Sequence, residues 1–168
     1  MARGKCFPSL AAIIVLAALV SAAGASAADG PVYYLYLSPL GEDTNAGTLE
    51  APIHSFQRAE EILEAVSPDS DVIVRLMSDQ GAYFNYTVRW SYFHPAHSIT
   101  FESYPADSPA VFKADLLDPP WEPFFTLEAS HGEPTNLVFK RLRVEDYVSR
   151  VFYFIGDREN SVGGWNGH

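Results

Sequence analysis

The strongest constraint on the fold is a short pattern that recurs three times between residues 71 and 142. In each copy a small polar residue precedes two apolar residues spaced by two, and a third apolar residue follows three positions later. The copies are Asp71-Val72-x-Val74-x-x-Met77, Ser98-Ile99-x-Phe101-x-x-Tyr104 and Asn136-Leu137-x-Phe139-x-x-Leu142. A spacing of two is typical of a strand with one buried face, and the step to three keeps the next apolar residue inside only if the strand bends. The pattern predicts bent strands that stack, with Val74, Phe101 and Phe139 in the core.

The rest of the chain has the composition of an all-β protein. Short runs rich in Val, Ile, Phe and Tyr alternate with Pro, Gly, Asp and Asn, as in "VYYLYL", "AVFKA" and "VFYFIG". Convincing two-residue hairpin turns are missing between the runs, and Asn166-Gly167 has no run after it. The sequence therefore favours a solenoid of stacked coils over the alternative, an antiparallel sandwich.

One amphipathic helix is predicted over Ser55–Val66. Ser55 is a suitable N-cap, and Ser67-Pro68 ends the segment. The apolar residues that recur at helical spacing are Phe56, Ala59, Ile62, Leu63 and Val66. Because a single helix must bury this face somewhere, we expect it to cover the open N-terminal end of the solenoid core.

The segment before this helix, "GEDTNAG", is predicted to form a tight loop. Gly41 and Gly47 allow positive φ angles, and the side chains of Asp43 and Asn45 can accept or donate hydrogen bonds to the nearby backbone. Asp43 and Asn45 are also the candidate ligands for Ca²⁺, which takes six to eight oxygen ligands. No other cofactor is evident, and turn formation explains the two residues equally well.

Residues 1–27 are predicted to be a secretory signal peptide. Arg3 and Lys5 precede the apolar run "LAAIIVLAALV", and Ala25-Ser26-Ala27 fits a cleavage site. The alternative is an uncleaved membrane anchor, for which the run is short. Cys6, the one cysteine, lies in the removed segment, so we expect a secreted or extracytoplasmic protein without disulfides and without a membrane span after cleavage.

The charge of the chain restricts its partners. The formal net charge is −10 at pH 7, and loss of Arg3 and Lys5 would make the protein more acidic still. Such a surface repels nucleic acid and anionic membranes. The local cluster Lys140-Arg141-x-Arg143 can still attract an acidic polysaccharide.

Several segments resemble secreted right-handed parallel β-helix proteins of the pectate-lyase-like superfamily. "YYLYLSPLGEDTNAGTLEAPIHSFQRAEEIL" is similar to their entry strand, loop and capping helix. "DVIVRLMSDQGAY", "SITFESYPADSPAVF" and "NLVFKRLRVED" are similar to successive coils, although "SDQGAY" replaces the common Gly-Gly-Thr-Tyr-type turn. The resemblance implies an N-terminal strand, loop and capping helix over 28–70 and the first coils of a right-handed parallel β-helix over 71–168.

The same resemblance implies a function with carbohydrate. The full-length protein is expected to bind or process an extracellular polysaccharide as a lyase, glycoside hydrolase or epimerase, with catalytic residues on later coils. "SVGGWNGH" resembles no closing cap. We therefore expect a fragment that is open at its C-terminal end, inactive alone, and aggregation-prone at Val151–Ile155. The alternative is a non-catalytic, adhesin-like surface β-helix.

Lys140, Arg141 and Arg143 are the candidates for binding a uronate carboxylate, and Trp165, with His168 close behind it, for stacking on a sugar ring. The alternative is that the three cations are solvated strand residues opposite Glu or Asp. No catalytic residue is assigned.

Three further motifs have structural or conditional interpretations. His94-Pro95-Ala96-His97 lacks a cysteine and a helix to align its imidazoles, so ordinary loop histidines are expected rather than zinc ligands. Glu145 and Asp146 are neighbours on a strand and should not converge as a catalytic pair. Asn85-Tyr86-Thr87 is a glycosylation sequon that matters only in a host that glycosylates.

Overall fold

The computed structural model describes residues 31–94, 96–129 and 136–156. The predicted signal peptide and Trp165 lie outside these residues. The elements are β1 (Val32–Leu37), α1 (Phe56–Val66), β2 (Asp71–Met77), β3 (Tyr83–Phe84), β4 (Val88–Trp90), β5 (Ile99–Tyr104), β6 (Ala110–Lys113), β7 (Phe125–Ala129), β8 (Leu137–Lys140), β9 (Leu142–Glu145) and β10 (Phe152–Gly156). Within the described ranges no helix is long and apolar enough to cross a membrane.

The strands form three parallel sheets. Sheet A has the order β1-β2-β5-β8, sheet B has the order β3-β6-β9, and sheet C has the order β4-β7-β10. From β2 onward, successive strands enter sheets A, B and C in turn, and this cycle occurs three times. Every strand pairing that the described residues form is parallel. The predicted β-rich content with one helix is confirmed, and the antiparallel alternative is wrong for these strands.

The recurring sequence pattern aligns in sheet A as predicted. Val74 pairs with Phe101, and Phe101 pairs with Phe139. Val74 and Phe101 are fully buried, while the partly buried Phe139 stacks on Phe101 with ring centroids 5.3 Å apart. Inward positions therefore form continuous columns across the strands, which is how period-two residues fill a core between parallel sheets.

The third apolar position of the pattern is not equivalent in the three copies, contrary to the prediction. Met77 pairs with Tyr104 in sheet A, whereas Leu142 pairs with Ala110 in sheet B. The difference arises because the chain turns at Arg141, where φ is +57°. β8 therefore ends at Lys140, and the third apolar residue already belongs to the next sheet.

Helix α1 covers the edge of sheet C. The Ser55 hydroxyl accepts a hydrogen bond from the Arg58 amide at 3.1 Å, which confirms Ser55 as the N-cap. The helix packs against β1 and against β4, the edge strand of sheet C. Its buried apolar residues are Phe56, Ala59 and Leu63, and Ile62 packs partly against the core.

Val66 was predicted to lie on the buried face of α1, and this is wrong. Its side chain is 51% exposed. Val66 belongs to the last turn, and the chain leaves the helix at Ser67, which has a left-handed conformation. The Ser67 amide donates a hydrogen bond to the Leu63 carbonyl at 2.7 Å and so closes the helix end. Leu63 is thus the last residue of the helix whose side chain is buried in the core, and Val66 lies outside it.

The two loop glycines have different roles. Gly47 has φ of +77°, as predicted, whereas Gly41 does not adopt a positive φ. Gly41 is instead required by a close approach of two backbone segments. A Cβ at this position would lie 2.3 Å from the carbonyl oxygen of Ile53 and 2.7 Å from that of Pro52.

We expect Gly41→Ala to lower the free energy of unfolding by about 1–3 kcal/mol, because backbone atoms would have to move to admit the methyl group. Urea denaturation followed by circular dichroism measures the change. Leu40→Ala is the matched control, since Leu40 is 76% exposed and a surface substitution typically changes stability by less than about 0.5 kcal/mol. Equal stability of the two variants would contradict the role assigned to Gly41.

Among the described strands, β8, β9 and β10 lie at the same end of their three sheets. The side chains of Val151–Ile155 on and beside β10 are between 37% and 47% exposed. Self-association through this end stays a prediction.

Candidate functional site

The outer face of sheet A carries a row of chemically distinct side chains. The strand register aligns Tyr36 with Arg75, Arg75 with Glu102, and Glu102 with Lys140. Since side chains alternate between the two faces of a strand, these residues point away from the core that Phe101 occupies. The row thus presents an aromatic ring, a cation, an anion and a second cation across four strands.

Arg75 is the centre of this row. Its guanidinium donates a hydrogen bond to the Tyr36 hydroxyl at 2.9 Å and lies 4.4 Å from the ring centroid of Tyr34 and 4.8 Å from that of Tyr104. Its Nε lies 3.5 Å from a Glu102 oxygen, too far for a hydrogen bond, so the contact is electrostatic. We call Tyr34, Tyr36, Arg75, Glu102 and Tyr104 the Arg75 platform.

Arg75 carries a stable positive charge at the centre of the platform. Partial burial opposes the charge on Arg75, but the Tyr36 hydrogen bond and the nearby Glu102 carboxylate raise its pKa above the ordinary value. Tyr36 and Tyr104 contact each other edge to face with centroids 5.6 Å apart. Tyr34 is 42% exposed and offers an accessible aromatic surface beside the cation. Such a surface can stack on an apolar ring face while Arg75 attracts an anionic group.

The structure separates the three cations that the sequence suggested. Lys140 lies in the same row as Arg75, on the outer face of sheet A. Arg141 occupies the left-handed turn after β8. Arg143 lies on β9 in sheet B, where its Nε is 2.7 Å from Glu145. Only Lys140 therefore shares a face with the platform, and Arg143 has the acidic partner expected of a solvated strand residue.

The platform residues were not identified from the sequence. The available signal was the tyrosines at alternate positions in "VYYLYL" and the single Arg in "VIVRLM". In each strand these residues occupy the face opposite the buried one. Alternation shows that they share a face within one strand, but their contact across strands depends on the register.

The carboxylates of Glu145, the last residue of β9, and of Asp146 do not converge, as predicted. Glu145 is paired with Arg143, and an Asp146 oxygen lies 3.6 Å from the Lys113 ammonium nitrogen. Asp146 has φ of +66°, which directs it away from the strand that holds Glu145. This pair therefore does not form an acid–base site for glycoside cleavage.

Asp43 and Asn45 stabilise the loop that contains them. An Asp43 oxygen accepts hydrogen bonds from the amides of His54 at 2.9 Å and Ser55 at 2.8 Å. Partial burial opposes the charge of Asp43, but these hydrogen bonds lower its pKa below the ordinary value. The Asn45 side chain donates to the Pro52 carbonyl at 2.9 Å. The turn interpretation is confirmed, and Ca²⁺ binding by these residues stays a prediction.

The histidine loop differs from its sequence interpretation. His94 and His97 lie together, with ring centroids 4.6 Å apart, and His97 contacts Asp69. One potential ligand atom from each of these three residues lies within 4.8 Å of the others. The fold therefore brings the two imidazoles together without the helix that the sequence interpretation required. Their role as ordinary loop histidines stays a prediction.

Two further surface features have no assigned partner. A cleft of about 360 Å³ lies beside the start of α1 and is lined by Gln57, Arg89 and Glu122 among others. The sequon residue Asn85 is exposed and has φ of +55°. Its side-chain oxygen accepts a hydrogen bond from the Asp115 amide at 2.7 Å. Asn85 thus shapes a turn, whatever modification the host supplies.

Comparison of the chain with protein-family models, with curated proteins and with solved structures finds no match. The functional assignment therefore depends on the residues and their geometry.

Proposed function

We propose that the chain belongs to a secreted right-handed parallel β-helix protein of the pectate-lyase-like type, which binds or processes an extracellular polysaccharide. Three features support the β-helix: successive strands enter sheets A, B and C in turn, all their pairings are parallel, and inward residues form columns. The right hand follows from the strong preference of parallel crossover connections. Helix α1 acts as the N-terminal cap.

The Arg75 platform is the feature that supports the proposal of polysaccharide binding. Sugar rings expose apolar faces that stack on aromatic side chains, and uronate residues add carboxylates that pair with Arg and Lys. The platform combines Tyr34 with Arg75, and Lys140 follows in the same row. In a chain of formal net charge −10, the row holds two cations, Arg75 and Lys140, against the one carboxylate of Glu102. This local excess of positive charge favours an acidic polymer lying across the strands of sheet A.

The observation that favours a binding protein over an enzyme concerns the carboxylates. Among the described residues, Glu102 is engaged with Arg75, and Glu145 and Asp146 are paired separately with cations. A lyase, hydrolase or epimerase activity would therefore not use these three carboxylates as a free acid–base pair. A non-catalytic, adhesin-like β-helix is the second candidate, and it would use the same platform.

The test is binding to acidic and neutral polysaccharides, measured by affinity electrophoresis in gels that contain polygalacturonate, alginate or dextran. We expect retardation by the acidic polymers only. Tyr34→Ala and Lys140→Ala should each weaken this binding about tenfold, equivalent to roughly 1.4 kcal/mol. Both side chains are accessible, so the variants should fold.

Arg143→Ala is the matched control, because it removes an exposed cation from sheet B. It should leave the retardation unchanged. The proposal fails if neither acidic polymer retards the protein, or if Arg143→Ala weakens binding as much as Lys140→Ala does.

A further inference from the structure

Three potential metal ligands meet where two connecting segments run side by side. Asp69 lies between α1 and β2, and His94 and His97 lie between β4 and β5. The segments are neighbours because β2 pairs with β5, with the Val72 amide donating to the Ser98 carbonyl at 2.9 Å. One ligand atom from each of the three residues lies within 4.8 Å of the other two.

Asp69 and His97 are already close to a ligand arrangement. The His97 Nε2 lies 2.9 Å from an Asp69 oxygen. Two ligands of a tetrahedral zinc ion are roughly 3.3 Å apart, given bonds of about 2.0–2.2 Å. Little movement is therefore needed for these two atoms to share an ion.

Asp71 supplies the support that a metal-binding histidine usually has. The Asp71 Oδ1 lies 3.8 Å from Nδ1, the other ring nitrogen of His97. The same oxygen accepts a hydrogen bond from the Ser98 amide at 2.8 Å. A histidine that binds a metal through one nitrogen commonly directs the other towards a carboxylate, which fixes its orientation. The position of Asp71 thus suits His97 as an Nε2 ligand.

His94 completes the group. Its Nδ1 accepts the amides of Ala96 and His97, each at 3.2 Å. These hydrogen bonds are long, and His94 is only half-buried. An ion can therefore take the place of the two amides at Nδ1, and the amides can then form hydrogen bonds with water. His94 is therefore the ligand that must rearrange, and we expect it to contribute less than His97.

From this geometry we propose that Asp69, His94 and His97 bind a divalent transition-metal ion, with zinc as the best fit. Two imidazoles and one carboxylate suit zinc, whereas Ca²⁺ and Mg²⁺ prefer oxygen ligands throughout. Three protein ligands leave a fourth position for water. The ion would also join the connection before β2 to the connection before β5 and so stabilise the stacking of sheet A.

The experiment titrates the untagged full chain with ZnCl₂ by isothermal calorimetry and compares melting temperatures with and without zinc. Wild type should show zinc binding together with a rise in melting temperature. Asp69→Ala and His97→Ala should each weaken that binding at least tenfold and abolish the rise. His94→Ala should have a smaller effect in the same direction.

His54→Ala is the matched control, because His54 contacts Tyr86 and lies outside the group. It should bind zinc as wild type does. The Asp69 side chain is 99% exposed, so Asp69→Ala should melt like wild type without metal, which separates loss of binding from loss of folding. The proposal is overturned if zinc leaves the wild-type melting temperature unchanged, if His97→Ala binds like wild type, or if CaCl₂ binds at these residues more tightly than ZnCl₂.

Discussion

Replacing Phe56 by alanine is expected to lower the free energy of unfolding by about 3–5 kcal/mol, the usual cost of truncating a buried Phe. Phe56 is the first residue of α1 and is 4% exposed. Its ring lies 5.5 Å from that of Phe101, 5.9 Å from that of Phe112 and 6.2 Å from that of Phe125. These partners belong to sheets A, B and C respectively, so one helix side chain joins all three sheets.

The expected loss is large compared with the net stability of a typical domain, about 5–15 kcal/mol. Val66→Ala is the matched control, because it truncates an apolar residue of the same helix that is 51% exposed. Its effect should stay below about 1 kcal/mol. Urea denaturation of both variants gives the comparison. If the two variants were equally stable, α1 would not be the element that closes the core.

Replacing Glu60 by alanine is the second substitution with a large expected effect. It should lower the free energy of unfolding by about 1–3 kcal/mol. Glu60 is 8% exposed, and one carboxylate oxygen accepts the amides of Ser91 at 2.5 Å and Tyr92 at 2.8 Å. These amides follow the edge strand β4, which pairs with β7 on its other side. Without the carboxylate, the buried Tyr92 amide and the part-buried Ser91 amide would both lose this acceptor.

Glu61→Ala provides the control for this change. Glu61 is on the same helix, and its side chain is 50% exposed and paired with Arg58 at 2.9 Å. An exposed pair of this kind contributes little, typically less than about 1 kcal/mol. A loss in Glu61→Ala equal to that in Glu60→Ala would contradict the specific role of the buried carboxylate.

Glu60 also gives a pH dependence with a definite sign. Burial raises the pKa of Glu60 above its ordinary value of 4.5, and the Ser91 and Tyr92 amides offset this only in part. A raised pKa in the folded state means that its contribution to stability is full below the unfolded pKa and is lost as pH rises through the folded pKa. The stability of wild type relative to Glu60→Gln should therefore fall as pH increases above about 4.5.

Urea denaturation of wild type and Glu60→Gln at a series of pH values measures this difference. The glutamine retains an oxygen for the two amides and removes the ionisation. If the stability of wild type relative to Glu60→Gln instead rose with pH, the amide hydrogen bonds would lower the pKa of Glu60 more than burial raises it.

The sequence determined the features that depend on neighbouring residues. Ser55 caps α1 because its hydroxyl reaches an amide only three residues away. Val74 and Phe101 point inward because successive strand residues alternate by geometry, whatever lies across the sheet. The positive φ of Gly47 was also predicted from the loop sequence, whereas Gly41 is required by the approach of a second backbone segment that the sequence did not reveal.

Only the tertiary structure decided the features that join distant residues. Arg75 meets Tyr36 across 39 positions of the chain, His97 meets Asp69 across 28, and Glu60 meets Ser91 across 31. Each contact requires a particular strand register or helix position, and these are set by the lengths of turns and by packing in the core. A charged residue such as Glu60 shows no sign in the sequence that it will be buried, and Val66 shows none that it will be exposed. The physical reason is that local geometry fixes the face on which a side chain lies, whereas the identity of its partner depends on how the whole chain packs.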